Sequence, residues 1–135
     1  MPYEGTCLCK ESKITIDGDA KPKFSTSCHC NDCRKCTGAP FSCVVGVPLN
    51  SIKVEGNVGT FEAKAASGNT VRRWFCKGCG SQLYLAATSE GADAYVHIGN
   101  IDAFANIPVR AEVFTKDRLH FVQPIPNAVQ FELGA

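Results

Sequence analysis

The chain has 135 residues, of which nine are cysteine, and its 14 basic and 13 acidic side chains leave a net charge of +1. This length predicts a single domain over residues 1–135, large enough to bury a core without cysteine cross-links. The balanced charge excludes a field that would attract nucleic acid or an anionic membrane. No apolar run approaches the ~20 residues of a transmembrane helix, and the first residues, Met-Pro-Tyr-Glu, do not begin a signal peptide. We therefore expect a cytoplasmic protein whose thiols stay reduced and serve a metal or catalysis.

The apolar residues alternate as in strands more often than they follow a helical period. The predicted strands, in chain order, are residues 13–17, 41–47, 52–56, 60–63, 71–75, 82–86, 95–98 and 111–114. One short helix is predicted over residues 32–37, with Asn31 as its cap and Gly38 behind it. Short strands separated by turn residues predict an all-β protein of two packed sheets.

Two pairs of cysteines, far apart in the chain, have spacings that suit one metal ion. Cys7 and Cys9 are two residues apart, so on a strand both side chains would leave the same face. Cys76 and Cys79 have the spacing of a zinc knuckle and fall at the tip of a predicted hairpin. Together the four thiolates complete a tetrahedral zinc shell, which leaves no position for a substrate. We interpret this set as a structural zinc site that joins the N-terminus to the hairpin.

A denser run holds Cys28, Cys30 and Cys33. Cys28 and Cys30 are expected to share a face, and Cys33 returns one turn later. Three thiolates around zinc leave the fourth position open to water or to a substrate sulfur, as in catalytic zinc sites. Zinc with three thiolates is a weak Lewis acid and prefers to hold a soft thiolate. The run therefore predicts a second zinc ion that binds a small thiol.

The spacing alone leaves two other interpretations of this run open. Cys36 lies three residues beyond Cys33, close enough on a helix to share an ion, and either it or His29 can close the shell and make the second zinc structural. Cys30, Cys33 and Cys36 also copy the start of a ferredoxin iron–sulfur sequence, but Pro40 stands where the fourth cysteine is expected.

Single residues carry weaker signals. Cys43 lies in an apolar run and is expected to be a small buried residue. His97 alternates within a predicted strand, which is typical of a half-buried imidazole. Arg34 and Lys35 are expected to be two ordinary cations exposed to solvent. Arg73 can bind a carboxylate, but the expected place for it is the exposed surface of a strand.

Three ordered cysteine motifs resemble those of the glutathione-dependent formaldehyde-activating enzyme family, which also includes centromere protein V. They are residues 5–9 (Gly-Thr-Cys-Leu-Cys), residues 28–38 (Cys-His-Cys-Asn-Asp-Cys-Arg-Lys-Cys-Thr-Gly) and residues 73–81 (Arg-Trp-Phe-Cys-Lys-Gly-Cys-Gly-Ser). The segment Gly-Asn-Ile-Asp at 99–102 resembles a further Gly-x-Leu-Asp segment of that family. The resemblance covers nearly the whole chain.

The resemblance implies a β-tent of two packed antiparallel sheets, with at most one or two short helical turns. It also implies two zinc ions per chain. The structural ion would bind Cys7, Cys9, Cys76 and Cys79, and the catalytic ion would bind Cys28, Cys30 and Cys33. The family activity joins formaldehyde to glutathione to give S-hydroxymethylglutathione, which makes the expected enzyme a zinc-dependent carbon–sulfur lyase. The alternative is a two-zinc structural or binding module without catalysis.

Four positions depart from the family pattern. Lys10 stands where many members have glycine, Glu112 replaces a frequent histidine, and Phe121 falls where tryptophan is common. Cys36 is an additional thiol beside the predicted open site.

Overall fold

The computed structural model describes residues 1–134, so Ala135, the last residue of the predicted domain, lies outside the described residues. Strands dominate the described chain. They are β1 Tyr3–Thr6, β2 Ser12–Ile16, β3 Phe24–Cys28, β4 Ser42–Pro48, β5 Ile52–Gly56, β6 Val58–Lys64, β7 Thr70–Cys76, β8 Gln82–Ala87, β9 Asp93–His97, β10 Ala111–Val113 and β11 Val129–Gln130. Helix α1 spans Asn31–Thr37. Short 3-10 turns lie at Leu49–Ser51, Ile98–Asn100, Asp102–Phe104 and Thr115–Asp117.

The strands form two sheets, which confirms the predicted mainly β architecture. One sheet has the order β1-β2-β5, and the other has the order β11-β10-β3-β4-β9-β8-β7-β6. Most neighbouring strands are antiparallel, but β10 runs parallel to both β3 and β11. Parallel neighbours need long connections, and both of these pairs are joined by long segments of chain.

Each predicted strand overlaps an observed one, whereas β1, β3 and β11 were not predicted. β1 carries Gly5 in its middle, where a Cβ atom would overlap the backbone carbonyl of Asn100. β3 has serines at its buried positions, since Ser25 is 3% exposed and Ser27 is fully buried. Both strands therefore lack the alternation of apolar and polar residues on which sequence prediction depends.

The core lies between the sheets, because apolar residues from both converge there. Ile14 and Ile16 on β2 pack against the core face of the large sheet, where Val45, Val96 and Ala86 are buried. Burying Val, Leu and Ile side chains of this kind stabilises a fold by roughly 1.5–3 kcal/mol each before the cost of ordering them. The core face of the large sheet is thus the face toward the small sheet.

The opposite side of the large sheet is called here the outer face. Directly paired residues share a face, and so do alternate residues along one strand. The register places the following residues together on the outer face: Cys28, Ser42, Val44, His97, Tyr95, Leu85, Arg73 and Phe61. The contact between the rings of Phe24 and Tyr95, with centroids 5.7 Å apart, agrees with this assignment. No helix within residues 1–134 is long and apolar enough to cross a bilayer.

Candidate metal centres

The first candidate centre, the four-cysteine cluster, brings together Cys7, Cys9, Cys76 and Cys79. Their sulfur atoms all lie within 4.8 Å of one another. The Sγ atom of Cys9 is 3.6 Å from the Sγ atoms of both Cys7 and Cys76. A tetrahedral zinc ion with bonds of about 2.3 Å separates its sulfur ligands by roughly 3.8 Å. The cluster therefore fits zinc in both its donor atoms and its spacing.

Two turns present these thiols. Cys76 ends β7 and Cys79 follows in the turn to β8, as the predicted hairpin requires. The expectation that Cys7 and Cys9 lie on a strand was wrong, because β1 ends at Thr6 and the pair sits in the following turn. Lys10 has a φ of 68°, a left-handed conformation in which the chain reverses toward β2. A side chain is strained there, which explains why glycine suits this position.

Backbone and hydroxyl donors surround the sulfur atoms of the four-cysteine cluster. The N–H groups of Ser12 and Gly78 donate to Cys7 and Cys76 respectively, each at 3.3 Å. A hydrogen bond with the Ser81 hydroxyl is the main cause that lowers the pKa of Cys79 to about 5. Such donors favour the thiolate form, which is the form that binds a metal.

The four-cysteine cluster lies at the edge of the core, since Cys9 is exposed and Cys79 only partly buried. Cys76 is fully buried and Cys7 is only 2% exposed, and both belong to the apolar core between the sheets. Four protein donors already complete a tetrahedral shell. This centre therefore suits a structural ion that joins β1 to the β7–β8 hairpin.

The second candidate centre, the three-cysteine cluster, brings together Cys28, Cys30 and Cys33, with all sulfur atoms within 4.8 Å. Cys28 ends β3 on the outer face, and Cys33 lies in the first turn of α1. The prediction that Asn31 caps this helix was wrong, because Cys30 is the N-cap and its sulfur accepts a hydrogen bond from the Cys33 N–H at 3.3 Å. A strand end and a helix cap thus converge.

The helix ends as the sequence predicts. Gly38 follows α1 with a φ of 66°, and its N–H donates to the Arg34 carbonyl at 2.8 Å. A left-handed residue closes a helix in this way most readily when it is glycine. The short helix is therefore fixed at both ends, which holds Cys30 and Cys33 in place relative to β3.

The three sulfur atoms influence one another's ionisation. Hydrogen bonds from the thiols of Cys28 and Cys33 lower the pKa of Cys30, and the same sharing of protons raises the pKa of Cys28. One thiolate is therefore favoured, while further negative charge meets repulsion. A bound cation removes that repulsion, which makes the trio suitable for a soft divalent metal.

Cys36 and His29, the two alternative fourth ligands, point away from this cluster. Within residues 1–134, no other Cys, His, Asp or Glu joins the three-cysteine cluster. The Cys36 thiol donates to the Cys33 carbonyl at 3.5 Å and accepts from Arg73 Nη1 at 3.3 Å. The His29 ring is buried and directed at Glu112. The ferredoxin-like trio that includes Cys36 is likewise not assembled.

A buried polar network fixes the loop between Cys28 and Cys30. His29 and Glu112 are both fully buried, and Glu112 Oε1 accepts from His29 Nε2 at 2.8 Å. The other carboxylate oxygen accepts from the Ile125 N–H at 2.9 Å and from Gln130 Nε2 at 2.8 Å, and it lies 3.2 Å from Arg118 Nη2. In the sequence, Glu112 stands out only as a departure from the family pattern, without a predicted role.

The same donors set the charge of Glu112. Burial alone would raise its pKa, but hydrogen bonds from His29, Ile125 and Gln130 outweigh burial and lower the pKa to about 2. The group is therefore a carboxylate at neutral pH. The network connects β10 and the C-terminal segment to the three-cysteine cluster through the backbone on either side of His29.

The predicted burial of His97 and Cys43 was wrong in both cases, because His97 is buried rather than half-buried and Cys43 is not fully buried. His97 is 9% exposed, and burial is the main cause that lowers its pKa to about 4, so the ring is neutral at pH 7. Cys43 is only partly buried and belongs to neither cluster. Neither residue lies among the candidate metal ligands.

The fold and the two thiol clusters define a class of small β-sheet proteins with candidate zinc–thiolate centres. The profile of the family described as glutathione-dependent formaldehyde-activating enzyme matches residues 2–117. The chain belongs to this family.

Relatives agree with that assignment, and a solved structure shares the fold. A Schizosaccharomyces pombe protein named as an uncharacterized lyase is 36% identical over 121 residues, which are 87% of this chain and 82% of the relative. An Aspergillus flavus protein provisionally named a glutathione-dependent formaldehyde-activating enzyme is 35% identical over 80 residues, which are 58% of this chain and 40% of that protein. A Rhodobacter sphaeroides crystal structure, 18% identical, has a similar fold with a TM-score of 0.51 over 95% of this chain and 98% of its own.

Proposed function

We propose that this protein is a zinc-dependent carbon–sulfur lyase that acts on an adduct of a small thiol, with glutathione and formaldehyde as the substrates to test first. The observation that carries the proposal is the three-cysteine cluster, which offers three sulfur donors and, within the described residues, no fourth protein donor. The family name and the names of the relatives support glutathione and formaldehyde as substrates.

Each thiol of the cluster has a role in this proposal. Cys33 is buried and anchors the cluster in α1, while Cys28 and Cys30 are partly exposed and border the side from which a substrate enters. A zinc ion bound there would supply a position at which a thiol ionises near neutral pH. The helix cap at Cys30 and the His29–Glu112 contact hold this border in a fixed geometry.

The chemistry requires no oxidant or reductant. A bond forms between the glutathione sulfur and the formaldehyde carbon, and the thiol proton is transferred to the carbonyl oxygen. The reverse reaction breaks the same carbon–sulfur bond, which is the lyase direction. The protein contributes by orienting the sulfur and by favouring its thiolate form.

The proposal is tested by following S-hydroxymethylglutathione formation with ¹³C-formaldehyde and NMR exchange measurements. The zinc-loaded protein should raise the rate above that in buffer, and Cys30→Ser should remove the increase. Cys43→Ser is the matched control, because Cys43 lies outside both clusters, and it should keep the activity. A wild-type rate equal to that in buffer would instead favour the non-catalytic zinc module.

A further inference from the structure

A cleft of about 340 Å³ opens beside the three-cysteine cluster, between α1 and the strands β6 and β7. The side of the helix contributes Asp32, Lys35 and Cys36, and Arg73 faces them from β7. Apolar residues, among them Phe61 and Val71, form the remaining wall. The proposed function above uses none of these side chains.

The cleft and the cluster are neighbours. Cys36 lies one helical turn beyond Cys33, and its thiol donates to the Cys33 carbonyl at 3.5 Å. Arg73 Nη1 donates to Cys36 Sγ at 3.3 Å, so the arginine bridges the strand and the helix. Cys28 and Arg73 lie on the same outer face of the large sheet but on strands separated by β4, β9 and β8, so the connection between cluster and cleft runs along α1. A small molecule with its sulfur at the cluster can reach this cleft by extending along one turn of α1.

The cations of the cleft lack partners of opposite charge. Among residues 1–134, neither Lys35 nor Arg73 forms an ion pair. The adjacent Arg72, on the other face of β7, donates from Nε to Glu62 at 2.8 Å. Arg73 is half-buried beside apolar residues, where water screens a charge less than at an open surface. An anion in the cleft would satisfy this guanidinium.

Resting on the proposed function, we propose that the cleft binds the carboxylates of the thiol substrate and that Arg73 is its main specificity-determining residue. The cleft presents two cations, Lys35 and Arg73, and one carboxylate, Asp32. Glutathione carries the complementary set, with two carboxylates and one ammonium group. The planar guanidinium of Arg73 can hold a carboxylate through two parallel hydrogen bonds. The preferred substrates are thus thiols that carry carboxylates rather than neutral thiols.

Binding of S-methylglutathione to the zinc-loaded protein tests the cleft without chemistry, because this molecule has no free thiol. Isothermal titration should give a Kd that rises about tenfold to a hundredfold in Arg73→Gln, as expected when a hydrogen-bonded charge pair is lost. Arg72→Gln is the matched control, since it removes the same charge one residue away on the opposite face, and it should leave the Kd unchanged. Equal affinity in Arg73→Gln and the wild type, or no binding by either, overturns the proposal.

Kinetics separate a failure of the cleft from a failure of the catalytic proposal. With formaldehyde, Arg73→Gln should raise the KM for glutathione and leave the KM for 2-mercaptoethanol, a neutral thiol, unchanged. Binding that depends on Arg73 without any catalysis refutes the lyase but retains the cleft, whereas catalysis indifferent to Arg73 refutes only the cleft.

Lys35→Gln provides a second variant should Arg73→Gln fail to fold, because Lys35 is exposed. It should weaken S-methylglutathione binding in the same direction, and unchanged binding counts against the cleft.

Discussion

Replacing Glu112 with glutamine should destabilise the whole fold, because the carboxylate is the centre of a buried network. The side chain is fully buried and accepts hydrogen bonds from His29, Ile125 and Gln130. Glutamine keeps the shape but removes the charge and turns an NH2 group toward one of these donors. The carboxylate also pairs with the Arg118 guanidinium at 3.2 Å, and breaking a buried charge pair costs about 3–5 kcal/mol. For 135 residues, an unfolding entropy of about 2.1 cal/mol/K per residue converts 3 kcal/mol into a Tm decrease of roughly 10 °C.

Differential scanning calorimetry of the zinc-loaded proteins measures this decrease. Glu132→Gln is the matched control, because Glu132 is an exposed acid of the same C-terminal segment, and its Tm should stay within about 2 °C of the wild type. A Tm for Glu112→Gln within the same margin would refute the claim that this network holds the fold together.

The free energy of unfolding that Glu112 contributes should depend on pH, and the direction of this dependence follows from the pKa of the carboxyl group. The folded-state pKa of about 2 lies below the ordinary value of 4.5, so the carboxylate contributes stability above pH 4.5 that is lost as the pH falls toward 2. The stability difference between wild type and Glu112→Gln should therefore be full at pH 7 and shrink below pH 4.5. Both proteins carry the same thiol clusters, so protonation of the cysteines affects them alike.

The remaining predictions concern the metal centres. Elemental analysis of the reduced protein should find two zinc ions per chain, and iron with an absorbance band near ~400 nm would contradict the zinc assignment. Cys76→Ser should give molten or insoluble protein, since a structural zinc site carries folding free energy, whereas Cys30→Ser should stay folded by circular dichroism and lose the ion of the three-cysteine cluster. Equal loss of folding in the two variants would mean that both ions are structural. Cys36→Ser should retain both ions, and loss of one would restore Cys36 as a ligand.

The candidate metal sites were accessible to sequence analysis because their ligands are close together in the chain. Cys28, Cys30 and Cys33 lie within six residues, and the gap between Cys76 and Cys79 suits a single turn. Cysteines so close together can reach one ion in several local conformations. This explains why the clusters were found even though the expected strand at Cys7 and the expected cap at Asn31 were both wrong.

The surroundings of the three-cysteine cluster could not be derived from the sequence, because they depend on contacts between distant residues. His29 and Glu112 are 83 positions apart, and a glutamate in a strand of alternating apolar and polar residues is predicted to be exposed. Cys36 and Arg73 are 37 positions apart, so no local pattern places this arginine in a cleft beside the cluster. The cytoplasmic location stays a prediction.

The central claim is that the three-cysteine cluster holds a metal with an exchangeable fourth position, and a cobalt-substituted protein tests it most directly. Cobalt bound to thiolates absorbs in the visible range, and a new sulfur ligand changes that spectrum. We expect added glutathione to change the spectrum of the wild type and of Cys36→Ser alike. A wild-type spectrum that no small thiol alters, together with a response that arises only in Cys36→Ser, would show that Cys36 closes the site and would contradict the proposed lyase.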